Sequence, residues 1–140
     1  MKVSNEIKIK STLEDVWKKT IDIEAWPNWN PVMNSVVRQE SGDLSVGSTA
    51  LIDQQGMKPC IWTVQEIKEN ELFSWKTNVA GIKMFATHEI KSNENSVQNV
   101  LTIDVGGFVG VLLWPFFKRL MLKAIVEENK NFKKICEGKN

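Results

Sequence analysis

The chain has 140 residues, 18 basic and 17 acidic side chains, a net charge of +1 and a single histidine. That length suits one domain, residues 1–140, able to bury about two thirds of the surface its unfolded form would expose. Near-neutral charge supplies no field to gather phosphate backbones, so no nucleic-acid partner is expected, and one histidine excludes any site that needs two imidazoles, such as His-rich zinc centres or two-His iron triads.

Cys60 and Cys136 have neither metal-ligand spacing nor the density of a disulfide scaffold, and no signal peptide precedes the first strand-like run. The expected location is therefore the cytoplasm, and no cofactor is expected. The run FVGVLLWPFF, Phe108 to Phe117, is too short for a membrane span but long enough for a buried helix or an interfacial segment.

In chain order, VSNEIKIK alternates, with Val3, Ile7 and Ile9 on one face and Asn5 among them, which predicts a half-buried strand. STLE, with Ser11 and Glu14 at capping-box spacing, predicts a helix start, and Leu13, Val16, Trp17, Thr20 and Ile21 form the apolar stripe behind it. In EAWPNWNP, Pro27 and Pro31 are expected to stop regular structure, because proline disfavours the helical conformation in the residue before it. Neither a plain linker nor a core segment combines two indoles with prolines so closely, which suggests a plug or rim over a cavity. Asn28 and Asn30 are suited to turn or cap the backbone there.

From Val32 to Val105 the pattern is strand after strand, VMNSVVRQE, STALID, CIWTVQEIK, LFSWKTNV, IKMFATHEIK and SVQNVLTIDV, at hairpin spacing. A long helical pattern follows from about Trp114 to Glu137, with Phe117, Met121, Ala124, Ile125, Phe132 and Ile135 along one face and Pro115 tolerated in its first turn. The Lys-rich end KNFKKICEGK suits the last turns of that helix, where the dipole favours cations.

Antiparallel pairing fixes the sum of partner numbers, so turn centres can be tested against apolar faces. Centres at Asn93/Glu94, Ala80/Gly81 and Glu69/Asn70 pair His88 with Asn99, Phe73 with His88 and Glu66 with Phe73. Together they put Trp62, Val64, Phe73, Trp75, Met84, Ala86, Leu101 and Ile103 on one surface. Gln65, Ser74, Lys76, Asn78, Thr87, Glu89, Lys91, Gln98, Thr102 and Asp104 fall on the other, which faces water. The long helix is the expected cover of the apolar face.

That face carries polar exceptions, Glu66, His88 and Asn99, and Glu128 falls on the inward stripe of the helix. Burying such groups unpaired costs roughly 1 to 3 kcal/mol each, a cost that water or a ligand would relieve. The structural alternatives stand beside this: His88 and Asn99 as a satisfied core pair, Glu66 reaching solvent near a turn, and Glu128 marking where the helix leaves the core.

The order of elements and three local stretches resemble the START-like, or SRPBCC, superfamily, in particular its polyketide cyclase/dehydrase and lipid transport branch. The stretches are DVWKKTIDIEAWPNWNP, similar to that branch's Val-Trp helix and Trp-Pro-x-Trp plug; FATHEI, similar to its His-bearing strand; and NKNFKKICEG, similar to the end of its long helix. The resemblance implies an α+β helix-grip fold: a curved antiparallel sheet of about seven strands wrapped around a long C-terminal helix, with two short helices between the first two strands. It also implies a deep cavity that holds lipids, polyketides or similar molecules. The single histidine does not match the iron-binding pattern of the superfamily's oxygenases, and Arg38 and Arg119 have no clear counterpart in its aromatase/cyclase constellations.

The first functional expectation is binding of a small hydrophobic or aromatic molecule between sheet and helix. Trp62, Phe73, Trp75, Met84, Leu101, Met121 and Ile125 supply burial, Trp26 and Trp29 touch the ligand or close the core, and His88, Asn99 and Glu128 orient a polar end. The second is a cyclase or dehydratase in which His88 is the general acid or base. The third is an interaction or membrane-docking module working through FVGVLLWPFFKRL, whose apolar run is followed by Lys118 and Arg119. Nothing in the pattern fixes an oligomeric state.

Overall fold

The computed structural model describes residues 1–138. Lys139 and Asn140, which end the expected domain and the Lys-rich run, lie outside the described residues. The elements are β1 (Lys2–Ile9), α1 (Leu13–Ile21), a 3-10 helix (Ile23–Asn28), β2 (Met33–Arg38), β3 (Thr49–Gln54), β4 (Cys60–Lys68), β5 (Leu72–Val79), β6 (Ile82–Asn93), β7 (Ser96–Gly106), α2 (Phe108–Leu112) and α3 (Trp114–Cys136). The strands form one antiparallel sheet in the order β1-β7-β6-β5-β4-β3-β2. The sheet curls as a half-barrel around α3, the helix-grip arrangement.

α3 rests on the β1 and β7 end of the sheet, and the 3-10 helix packs against β2 near the other end. The strands between them are left with an inner face that neither element fills. α1 starts one residue later than its capping box predicts: Thr12 is the N-cap, its Oγ1 accepting from the Asp15 N–H at 3.1 Å, while Ser11 donates to the Asp15 carboxylate. Pro27 does not break regular structure but lies inside the 3-10 helix, whose closing bonds run from the Trp29 and Asn30 N–H groups to the Trp26 carbonyl.

The Ala80/Gly81 hairpin has the expected register throughout, Phe73 opposite His88 and Trp75 opposite Ala86. The next hairpin turns at Glu94 and Asn95, not at Asn93 and Glu94, so His88 faces Leu101 and Asn99 faces Ile90. A slip of two residues keeps every side chain on its expected face while changing every partner.

The Glu69/Asn70 hairpin differs in another way. Lys68 pairs with Leu72 across a three-residue turn, and an irregularity between Val64 and Glu66 then restores the expected pairing of Val64 with Trp75. Between turn and bulge the faces are exchanged, so Ile67 rather than Glu66 opposes Phe73. Glu66 is exposed beside Lys68 at 3.5 Å and leaves the inner row. Ser74, expected on the water-facing surface, is buried.

The tip of the β5–β6 hairpin is locked to the start of α2. The Gly81 carbonyl accepts from the Val109 N–H at 3.1 Å, and a Cβ placed on Gly107 would lie 2.4 Å from that same oxygen. Gly107 also has φ +80°, a conformation that a side chain disfavours.

The run Phe108–Phe117 is not a buried helix start. Of its residues only Gly110 is buried, and Phe108, Val111, Leu112 and Phe116 are exposed. α3 buries residues only from Met121 onward, Met121, Ile125, Asn129, Phe132 and Cys136, whereas α2 packs on β6 and β7 through its Gly110 side and leaves its other face, like most of the first turns of α3, exposed. Pro115 stands in the first turn of α3, where a missing N–H costs nothing. No described helix is long and apolar enough to cross a membrane.

Candidate functional site

The unfilled inner face encloses a cavity of about 370 Å³ between the sheet and α3. Trp26 of the 3-10 helix, Trp62 of β4, Trp75 of β5, Met84, Ala86 and His88 of β6, and Leu101 and Ile103 of β7 supply its walls. α3 contributes Leu120, Met121, Ala124, Ile125 and Glu128. Nine of the twelve expected ligand residues are thus brought together: Trp26, Trp62, Trp75, Met84, His88, Leu101, Met121, Ile125 and Glu128.

Phe73, Trp29 and Asn99 are placed elsewhere. Phe73 is fully buried behind the wall, edge-on to Trp26, Trp75 and His88. Trp29 is tilted against Phe132 at 5.1 Å and Trp26 at 6.3 Å. Trp29 and Asn99 border a separate void of about 10 Å³, shared with Thr20, Trp26, His88, Leu101, Glu128 and Phe132. Its size is at the lower bound for one water molecule.

Asn99 is tied into a buried amide chain. Its Nδ2 donates to Asn129 Oδ1 at 2.7 Å, and Asn129 Nδ2 donates to Asn5 Oδ1 at 2.8 Å and to the Asn5 carbonyl at 3.1 Å. This chain joins β7, α3 and β1, so the polar Asn5 on an apolar face has a structural partner.

Several lining residues were not singled out from the sequence: Met33, Ile52, Gln54, Gln55 and Met57 come from β2, β3 and the β3–β4 turn. Extending the register outward would have found two of them, since Ile52 alternates with Ala50 and Met33 opens β2 on the same inner face.

The second half of EAWPNWNP also acquires a role. Asn30 is fully buried, its Oδ1 accepting from the Val32 N–H at 3.2 Å and its Nδ2 donating to Glu128 Oε1 at 2.9 Å. Trp26 donates its indole N–H to the Thr20 carbonyl at 3.2 Å and lies 5.0 Å from the His88 ring. The plug therefore touches two of the titratable groups that line the cavity, His88 and Glu128.

Glu128 keeps some accessible surface because it lines the cavity, yet its carboxyl is enclosed by protein. Burial raises its pKa from 4.5 to about 7, with the Asn30 hydrogen bond opposing the shift. Burial alone lowers the His88 imidazole from 6.5 to about 4. Neither His88 ring nitrogen is hydrogen-bonded to another described residue, and the buried Trp62 N–H is also without a partner. Cys60 and Cys136 are free and buried. Among the described residues no group of three or more His, Cys, Asp or Glu side chains is placed to hold a metal ion.

These shifts act on stability with opposite signs. The native His88 refuses a proton that the unfolded chain takes up, so its contribution is whole above about pH 6.5 and is lost as pH falls toward 4. The native Glu128 keeps a proton that the unfolded chain releases, so its contribution is whole below about pH 4.5 and is lost as pH rises toward 7. Urea unfolding from pH 4.5 to 6.5 should show the two slopes cancelling. His88→Gln should make stability fall with rising pH relative to wild type, and Glu128→Gln should make it climb. Variants that run parallel to wild type would show that neither group is enclosed as described.

The sequence profile of the family described as polyketide cyclase/dehydrase and lipid transport matches residues 1–137. The chain belongs to that family. A search of curated proteins finds no match. Among solved structures, this family member is similar to a hypothetical protein from Helicobacter pylori, with a TM-score of 0.83 at 13% identity over 97% of this chain and 88% of that one. It is similar to an aromatase/cyclase from a Streptomyces species, with a TM-score of 0.81 at 12% identity over 98% and 93%. A START superfamily protein from Mycobacterium smegmatis matches with a TM-score of 0.78 at 21% identity over 98% and 97%. At these identities the likeness is one of fold, and it agrees with the START-like architecture.

Proposed function

We propose that this chain binds a small, mainly apolar or aromatic molecule, lipid or polyketide-like, in the cavity between sheet and α3. The observation that carries this reading is the cavity itself, about 370 Å³, whose walls are mainly indole, thioether and branched side chains, with polar groups such as Gln54, Gln55, His88 and Glu128 in the minority. Trp26, Trp62, Trp75, Met84 and Leu101 bury the ligand's body. His88, Glu128 and the unbonded Trp62 N–H meet its polar end. Two unpaired cysteines suit a reducing compartment, which makes the cytoplasm the proposed location.

A second reading is favoured by one observation: the cavity holds two titratable groups whose pKa values are driven in opposite directions. Near neutral pH His88 is an unprotonated base, and Glu128 retains a proton in a substantial fraction of molecules. In a cyclase or dehydratase, His88 takes a proton from the carbon beside a bound carbonyl, and Glu128 gives one to the oxygen that gains charge or departs.

Native mass spectrometry beside the denatured mass tests the binding reading, and titration with an apolar naphthalene dye reports the empty cavity. A discrete extra mass lost on denaturation is expected. Ala86→Phe, which fills the cavity from β6, should weaken dye binding by about fivefold or more, since overlap of this size costs at least about 1 kcal/mol. Dye affinity unchanged by Ala86→Phe would remove the cavity as the site. A bound molecule that changes mass over time with wild type, but not with His88→Gln, would favour the enzyme.

A further inference from the structure

α2 and the opening turns of α3 carry an apolar ridge with nothing packed over it. Phe108 is 84% exposed, Phe116 77% and Leu112 66%, and Leu120 continues the ridge one helical turn beyond Phe116. Monomeric proteins rarely leave large side chains contiguous in this way without a partner.

The charge around the ridge is of one sign. Lys118, Arg119 and Lys123 are exposed, and among the described residues none of them has an ion pair or hydrogen bond. No Asp or Glu occurs between Asp104 and Glu127. A second copy of this chain is a poor occupant, because a two-fold interface sets the patch against itself and brings these cations together with no acid to meet them. An apolar strip flanked by unpaired cations matches a surface that is oily within and negative at its edge.

Leu120 also ties the ridge to the cavity. It lines the cavity wall, and a Cβ on Gly56 in the β3–β4 turn would lie 3.6 Å from its Cδ2. Leu120 thus stands where the ridge ends and the side of the cavity between turn and helix begins.

We propose that this ridge docks the protein on an anionic lipid bilayer, with the Leu120 side of the cavity turned toward the lipid. No described helix is both long and apolar enough to span, so the phenylalanines enter only the headgroup and upper acyl region while the cations meet lipid phosphates. The docking does not depend on which molecule the cavity holds.

Co-sedimentation of the full chain with vesicles of phosphatidylcholine alone, and with added phosphatidylglycerol, tests this at low and high salt. Binding is expected on the anionic vesicles, weaker on the neutral ones, and reduced by salt. Replacing Lys118 and Arg119 together by Gln should lower the partition coefficient roughly 25-fold, about fivefold for each cation; Lys123 is left in place because it also lines the cavity. Leu112→Ser with Phe116→Ser should abolish pelleting. Trp114, half-buried against the core, is a poorer probe. Since the substituted side chains are exposed, unchanged urea midpoints and dye affinity should accompany these losses, which separates failure of docking from failure of the cavity reading. No pelleting, equal pelleting on neutral vesicles, or pelleting insensitive to both variants would overturn the proposal. So would an oligomer, broken by Phe116→Ser, in a protein that ignores vesicles.

Discussion

Trp26→Ala is expected to destabilise the protein by about 3 to 5 kcal/mol, the usual range for deleting a buried large aromatic. Trp26 is almost wholly buried and touches four other rings, Trp29, Phe73, Trp75 and His88. Truncation leaves each with an open flank and frees the Thr20 carbonyl that the indole N–H satisfies. The surroundings cannot collapse to refill the space, because Trp26 already forms part of the wall of the large cavity and of the small void. The residual hole should therefore join the two and admit more dye. Equilibrium urea unfolding followed by far-ultraviolet circular dichroism gives the value. A loss below about 1 kcal/mol would mean that the 3-10 helix is not docked as found and that the plug is ornamental.

The second large effect concerns Asn129, and the expected loss for Asn129→Ala is about 2 to 4 kcal/mol. Three hydrogen bonds meet at this fully buried amide. Its removal strands the Asn99 Nδ2 and leaves the acceptors of Asn5 without their donor, each unmet buried group costing about 1 to 3 kcal/mol. The partner Asn99→Leu should also be costly alone, yet the double change Asn99→Leu with Asn129→Leu should cost less than the sum. Apolar groups on both sides leave fewer stranded polar atoms. Strict additivity in that cycle would show that the two amides do not work as a unit.

The inner face of the sheet was readable because side-chain direction repeats every two residues, and the error at the Asn93 turn was itself two residues. Such a slip leaves His88 on the same face and changes only its partner. Glu66 was misplaced because hairpin counting assumes one residue against one, and neither the three-residue turn nor the compensating bulge leaves a mark in hydrophobic alternation. Asn99 and Glu128 were recognisable as polar groups on apolar faces, but their partners Asn129 and Asn30 come from distant segments. The cavity had a fainter signature still. It exists partly because Ala86 and Ala124 lack bulk where longer side chains would meet, a property of facing positions rather than of either segment. The exposure of Phe108 and Phe116 depends on which faces of α2 and α3 meet the sheet, which composition does not encode.

The interlock of Gly81 with Gly107 bears on where the chain can be altered. Short turns between antiparallel strands are ordinarily the places where inserted tags, fluorophores or permuted termini do least harm. Here the β5–β6 turn is bolted to the base of the ridge, so lengthening it would displace Val109 and tilt the docking face. The loop between β2 and β3 is the better port for a label: Gly42 and Gly47 stand in open space, and because both have a positive φ that a side chain disfavours, the label belongs on an exposed neighbour such as Asp43. A reporter placed there would leave both the cavity and the ridge free to act.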